Sequence, residues 1–331
     1  MLDGVRQSAV GTPQIAYSRA GSMIYVSAGS AERQDALVWV GRDGEEEQAT
    51  AAGAAFSTPR LAPDGRRVAV ALDGGAPGGN LAEIWMYDLM RATRSRLTFD
   101  GGSSFPLWAP DGRRLAYGSS RNGPYDVYVK TLGGAAPDVR HQTGREINNP
   151  LSWSPDGRFL ATVSVNPTTA NDIWVFPVDE ASASRPFLQT PFREGAPTFS
   201  HDGHWIAYVS EQSGRSEIYM RPFPDPGEEW TISTDGGTEP LWARKAGLLF
   251  YRQGDGMMVV DITTTPAVAV GKPRRLFEKR YNRSVGFWAN YDVTPDGQRL
   301  LMVKNSTSDA PTRINVVLNW LDELTRLVPP K

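Results

Sequence analysis

The sequence predicts an all-β fold, a seven-bladed β-propeller built from four-stranded antiparallel blades, and three observations carry that reading. A short phrase recurs: apolar residues, then a turn built on Pro-Asp-Gly, then a second apolar run, with a period of about 46 residues. A further strand rich in β-branched and aromatic residues follows each copy by about 15 to 20 residues. Large rings occupy matching positions in successive units, as stacked blades require. Six blades is the alternative, should the first or the sixth turn not belong to a full blade.

The turns come first. Intact copies are LAPDGRRVAVAL at Asp64, WAPDGRRLAYGS at Asp111, WSPDGRFLATVS at Asp156, FSHDGHWIAYVS at Asp202 and VTPDGQRLLMV at Asp296. Two decayed copies, YSRAGSMIYVS and WARKAGLLFYR, put Ala20 and Lys245 in the acid position. Pro presets φ, Asp bonds nearby backbone N–H groups and Gly accepts positive φ, so each copy reads as a β-hairpin. Third strands begin at Ala36, Ala82, Tyr125, Asn171, Ser216, Gly256 and Arg313, each expected to join the hairpin before it. Weaker fourth strands are expected at 94–99, 185–189, 229–233 and 274–277. The last unit has three strands, so residues 2–8 are expected to supply its outer strand and close the ring, which removes an exposed edge. Residues 321–331 form a short tail, with Leu321, Leu324 and Leu327 at helical spacing. On this count residues 1–331 are a single propeller domain.

Trp108, Trp153, Phe199 and Trp242 sit three residues before the turn acid position, and Trp85, Tyr128, Trp174 and Tyr219 sit in mid third strand. Both sets are expected to fill the space between blades. The turn acids are explained by their own turns. Glu83, Asp126, Asp172 and Glu217 recur at one third-strand position, which argues for architecture.

Composition narrows the function. With 331 residues and no Cys, disulfides, thiolate zinc sites and a cysteine nucleophile are excluded. A net charge of −2 supplies no field for nucleic acid or an anionic membrane. No apolar run approaches the roughly 18 residues that span a bilayer, so no membrane insertion is expected. The first residues lack the basic-then-apolar pattern of a secretory leader.

The loops leading into the first strands should rim one mouth of a central channel. They carry Ser57, Arg60, Ser103, Ser104, Asn148, Asn149, Arg193, Glu194, Thr238, Glu239, Trp288, Asn290, Tyr291 and Asp292. Converging carboxylates and amides suit a hard divalent cation such as Ca²⁺ on the channel axis, with Glu194, Glu239 and Asp292 as candidate ligands. The same groups could hold a peptide end or a sugar. Glu194, Glu239 and His141 are the candidate catalytic groups, with His141 expected to reach the mouth. An insertion at 278–287 adds Lys279, Arg280 and Arg283, which with Trp288 could form a basic, aromatic lip. His201 and His204 flank a turn and are expected in solvent. There is no G-x-S-x-G elbow.

The SPDG hairpin followed by a strand of the form D/E-I-W/Y resembles the TolB-like, WD-repeat-like propeller repeat, from about residue 14 to 320. Longer phrases, among them LVWVGRDG, RLTFDGG, ISTDGGTEPLW and YDVTPDGQRLLMVK, are similar to the C-terminal extracytoplasmic propellers of bacterial transmembrane serine/threonine protein kinases. That resemblance implies a bacterial sensor propeller outside the cytoplasm. The Gly-rich loop with its Lys, the HRD and the DFG motifs are absent from the chain, so phosphoryl transfer is not expected. The expected function is recognition of a peptide, protein or glycan at the channel mouth by a monomer. The alternative is a metal-dependent hydrolase or lyase, acting on an ester, lactone, phosphotriester or polysaccharide through channel carboxylates.

Overall fold

A computed structural model describes residues 14–18, 21–26, 34–51, 53–72, 82–123, 125–134, 136–141, 148–179, 184–245, 247–284, 287–305 and 314–320. Contacts gather the chain into two compact units, one from Met1–Gln34 with Ser306–Lys331 and one from Asp35–Asn305. Each is described by itself. The elements described in full are strands, and among the described residues no helix is long and apolar enough to cross a membrane.

In chain order the strands are β1 (Ile15–Tyr17), β2 (Met23–Val26), β3 (Asp35–Gly41), β4 (Glu46–Gln48), β5 (Phe56–Leu61), β6 (Arg67–Leu72), β7 (Glu83–Asp88), β8 (Thr93–Arg96), β9 (Ser103–Trp108) and β10 (Arg114–Ser119). Next come β11 (Asp126–Thr131), β12 (Val139–His141), β13 (Asn148–Trp153), β14 (Phe159–Asn166), β15 (Ala170–Pro177), β16 (Arg185–Leu188), β17 (Glu194–Phe199), β18 (Trp205–Ser210) and β19 (Glu217–Pro222). The rest are β20 (Trp230–Thr231), β21 (Thr238–Trp242), β22 (Leu248–Gln253), β23 (Gly256–Thr263), β24 (Ala269–Val270), β25 (Arg274–Glu278), β26 (Tyr291–Val293), β27 (Arg299–Asn305) and β28 (Ile314–Val317).

Among the described residues the larger unit holds six antiparallel sheets. β5–β8, β9–β12, β13–β16 and β17–β20 are four-stranded meanders, and in β21–β25 both β24 and β25 pair with β23. The sixth has the order β26-β27-β3-β4. Neighbouring sheets touch through their first strands: β5 lies against β9, β9 against β13, β13 against β17 and β17 against β21, while β26 lies against both β21 and β5.

The turns form as their residue types dictate. Asp111 Oδ1 accepts the N–H groups of Arg113 at 2.7 Å and Arg114 at 3.1 Å, and Gly112 takes φ 65°. The rings fill the inter-sheet space. Trp108 clusters with Ala69 and Ile84 of the preceding sheet, Trp153 with Leu107 and Val127, Phe199 with Ile173 and Val175, and Trp242 with Ala207 and Ile218. A buried ring of this size contributes about 2–3 kcal/mol by area removed from water. The third-strand acids tie their sheets to the loops beyond. Glu83 accepts from Arg96, Thr98 Oγ1 and the Gly101 N–H, and Glu217 accepts from Arg215, Ser233 Oγ and the Gly236 N–H.

Two expected pairings are exchanged. The hairpin β1–β2 does not take the strand from Ala36; β2 pairs with β28 instead, making the three-stranded sheet β1-β2-β28 of the smaller unit. The hairpin β26–β27 takes β3, in register from Arg299↔Gly41 to Asn305↔Asp35. The reason is burial. β3 is seven residues long with Leu37, Val38 and Val40 all buried, and β27 offers the equally buried run Leu300–Val303, whereas β2 is four residues of which none is buried. The expected outer strand at residues 2–8 and the tail at 321–331 lie outside the described residues.

Candidate functional site

Five of the six first strands of the larger unit break register near their start, and β26 pairs with β27 without a shift. The shifts fall between Ser57 and Arg60 in β5, opposite Ala116 and Gly118 in β9, between Pro150 and Ser152 in β13, between Gly195 and Thr198 in β17 and between Thr238 and Leu241 in β21. In four of them a non-glycine residue sits at positive φ at the bulge: Thr58 (48°), Phe105 (56°), Ala196 (48°) and Glu239 (56°). Each is followed by proline: Pro59, Pro106, Pro197 and Pro240. Proline donates no N–H, so the ladder opens there, and the left-handed residue before it turns the strand. This recurring proline, five residues before the turn acid position in these four units, is a signal that the hairpin and ring patterns alone pass over.

The mouth at this end is covered by the chain itself. Residues 287–290 lie across the starts of the first strands. The carbonyl of Phe287 accepts the Ala196 N–H at 3.0 Å, and the Trp288 ring meets Phe105 edge-on at 5.1 Å. Asn290 Oδ1 accepts the Thr58 N–H at 2.8 Å, and the Asn290 N–H donates to Glu239 Oε2 at 2.8 Å. Four first strands are bridged by one short segment. Arg193 stacks its guanidinium over Phe287 at 4.6 Å and pairs with Glu211 at 3.7 Å.

The residues expected to converge are therefore brought to this end, but as a structural lock. Glu239 is buried, takes the N–H groups of Asn290 and Ser284, and has its carboxyl pushed up by burial. Tyr291 donates its hydroxyl to the Glu239 carbonyl at 2.8 Å. Asp292 accepts the Leu61 N–H at 2.6 Å and the Val293 N–H at 2.8 Å. Glu194 accepts from Thr190 Oγ1, leaves Oε2 without a partner, and is pushed up to about 7, first by burial and then by Asp172. Ser104 Oγ bonds the Tyr125 hydroxyl, and Asn149 Oδ1 is buried without a partner. Of Asn148 only the backbone is described, as the first residue of β13. The carboxylates expected as cation ligands serve separate backbone and hydroxyl donors, and no group of three His, Cys, Asp or Glu among the described residues could hold a metal ion.

Other expectations are corrected. His141 does not reach the mouth: it ends β12, the outer strand of its sheet, opposite Val127, and stacks on Phe176 at 6.0 Å. Burial holds its imidazole below the usual value. The basic lip is dispersed because Lys279 donates to the Gly44 carbonyl at 2.7 Å and faces Glu46, while Arg280 pairs with Asp255 at 3.5 Å. His201 is not in open solvent. Its Nδ1 is buried and its ring lies 6.2 Å from Trp242.

At the other end, where the first strands run into the Pro-Asp-Gly turns, the channel opens as a cavity of about 260 Å³. Trp108, Trp153, Phe199 and Trp242 line its wall, with turn prolines such as Pro63 and Pro110 around it. The rings assigned to packing thus also present a face to the channel. The charged residues of the wall are Arg60, Arg244, Lys245 and Asp292. Arg60 is 5% exposed and is held by carbonyls, those of Pro59 (2.7 Å), Tyr291 (3.1 Å) and Ala289 (3.1 Å). Arg244 donates to the Leu61 carbonyl at 2.8 Å.

Comparison with known proteins agrees with this architecture. Residues 106–272, half of the chain, match the family model described as the TolB beta propeller domain. The chain is 35% identical over 116 residues to the Tol-Pal system protein TolB of Bordetella pertussis, over 35% of this chain and 26% of that protein. It thus spans about a quarter of the length of this curated relative. The putative TolB from Agrobacterium tumefaciens superposes with a TM-score of 0.68 at 16% identity, over 84% of this chain and 100% of that one. An oligogalacturonate lyase in complex with manganese superposes with a TM-score of 0.55 at 11% identity, over 96% of this chain and 81% of that one, which is a likeness of fold. Repeat, sheet topology and family match converge, and the chain belongs to the TolB β-propeller domain family.

Proposed function

We propose that the larger unit is a six-bladed recognition propeller that takes a segment of a partner protein into the cavity at the turn end of its channel. The observation that carries this reading is the wall of that cavity. Four large rings from four sheets offer apolar and stacking surface, and polar groups on the same wall can fix orientation, the mixture that defines a binding pocket. The likeness to Tol-Pal system relatives favours a protein as partner, and the resemblance of several phrases to kinase-linked propellers would fit a sensor role outside the cytoplasm. Support for six blades rather than seven comes from the sheets of residues 35–305, which adjoin in sequence through their first strands.

A peptide-display selection followed by hydrogen-exchange mapping tests this. Enriched peptides should protect the turns near Asp64, Asp111 and Asp156 and the segment at Arg244 and Lys245. Protection confined to the opposite mouth, at Ser57, Ser104, Arg193 and Thr238, would refute it. The blade count has its own check. A chain limited to residues 35–305 should unfold in one cooperative transition, and loss of folding in that piece would restore the seven-bladed reading.

A further inference from the structure

We infer that the cavity is built to receive the C-terminal carboxylate of the partner segment, a deepening that rests on the proposed binding of a protein segment there. The first observation is charge. The wall carries Arg60, Arg244 and Lys245 against a single carboxylate, Asp292. Asp292 and, more weakly, Glu239 favour the Arg60 charge without forming an ion pair with it, and the oxygens of Asp292 also accept the N–H groups of Leu61 and Val293. None of the three cations makes an ion pair within 4.0 Å among the described residues, although most arginines around them do, as Arg67 does with Asp64 and Arg114 with Asp111. Three cations against one wall carboxylate leave the cavity net positive, and burial disfavours the Arg60 charge, so an incoming anion would be stabilised there.

The second observation is where these cations stand. The guanidinium of Arg60 hangs from the carbonyls of Ala289 and Tyr291, the stretch of chain that covers the opposite mouth. Arg60 therefore marks the closed end of the cavity. Arg244 reaches the Leu61 carbonyl, one residue further toward the turn, and Lys245 is exposed at the turn itself. With residues 287–290 tied across the starts of the first strands beyond Arg60, a continuous chain is not expected to thread through. The cavity admits an end, and a volume of about 260 Å³ holds only a few residues. A chain end that meets a buried arginine first is a carboxyl terminus, which the planar guanidinium matches with charge-assisted hydrogen bonds. The rings of Trp153 and Trp242 on the same wall then flank the last side chains.

The test uses the full chain and three libraries of random tetrapeptides: free acids, C-terminal amides, and amides with one fixed internal Glu. Retained peptides are counted by mass spectrometry. Free acids should be retained about tenfold or more over both amide libraries, as loss of a charge-assisted contact predicts, and the preference should shrink at 1 M salt. Arg60→Gln should erase the preference. Because that buried substitution risks the fold, Arg244→Gln and Lys245→Gln, nearer the solvent, serve as second variants and should each reduce it. Equal retention of acids and plain amides in the wild-type protein would overturn the inference while leaving peptide binding intact. Retention of the internal-Glu amides equal to that of free acids would overturn the terminal reading in favour of an acidic side chain. Retention of no library would overturn the inference together with the binding reading beneath it.

Discussion

Replacing Glu194 with Gln should change how stability depends on pH, by an amount the structure fixes. Glu194 starts β17 with its side chain fully buried, one oxygen bonded by Thr190 and the other unpartnered. Its neighbours are Asp172, which disfavours its charge, and Arg221, which favours it weakly. Burial raises the folded carboxyl from its ordinary 4.5 to about 7. The raised value means that the folded state holds this proton more tightly than the unfolded chain does. Its contribution is fully present below pH 4.5 and is lost as pH rises through about 7. At about 1.36 kcal/mol per pH unit, the wild-type protein should lose about 2 kcal/mol from this group between pH 5 and pH 7. Glu194→Gln keeps the shape and the acceptor for Thr190 but has nothing to ionise. Urea denaturation of both proteins at pH 5, 6, 7 and 8 should give curves that diverge, the variant gaining on the wild type as pH rises. Parallel curves would show that Glu194 titrates as in the unfolded chain and would refute the reasoning.

Other outcomes follow from the same geometry. A Cβ at Gly195 would lie 2.3 Å from Phe287 Cβ. Gly195→Ala should therefore lower stability by about 1–3 kcal/mol in denaturant titration, and Gly195→Ala with Phe287→Gly, which removes the clashing Cβ, should recover part of the loss. Glu83→Ala strips Arg96, Thr98 and the Gly101 N–H of their shared acceptor and should cost about 2–4 kcal/mol in the same measurement. Asp296→Ala removes the acceptor of the Gln298 N–H and of Thr294 Oγ1 in an exposed turn and should lower stability by only about 1 kcal/mol.

Much of the fold is legible in the chain because its signals are local. The Pro-Asp-Gly turn is decided within four residues, and the ring three positions before it packs against the sheet that precedes its own. The acids Glu83 and Glu217 recur because each holds the same kind of loop. The exchanged strands were not legible. β3 and β28 have similar strand character, and only the length and burial of β27 selects β3 as its partner across more than 250 residues of chain. The site divides in the same way. Arg60, Glu239, Asn290, Tyr291 and Asp292 belong to one region of the channel, as their positions in the repeat imply. What no local pattern announces is that residues 287–290 lie over that mouth and spend its polar groups on hydrogen bonds.

By itself, then, the sequence determined the repeat, the turn chemistry, the four-stranded unit and the absence of thiol chemistry, since each depends on neighbours along the chain. Tertiary structure alone decided which end of the channel is open, which strand completes the last sheet, and which charges are left unpaired. Those depend on groups far apart in sequence competing for the same partners. Asp292 illustrates the point: by spacing a metal ligand, in the folded chain it is the acceptor for Leu61, a residue 231 positions away.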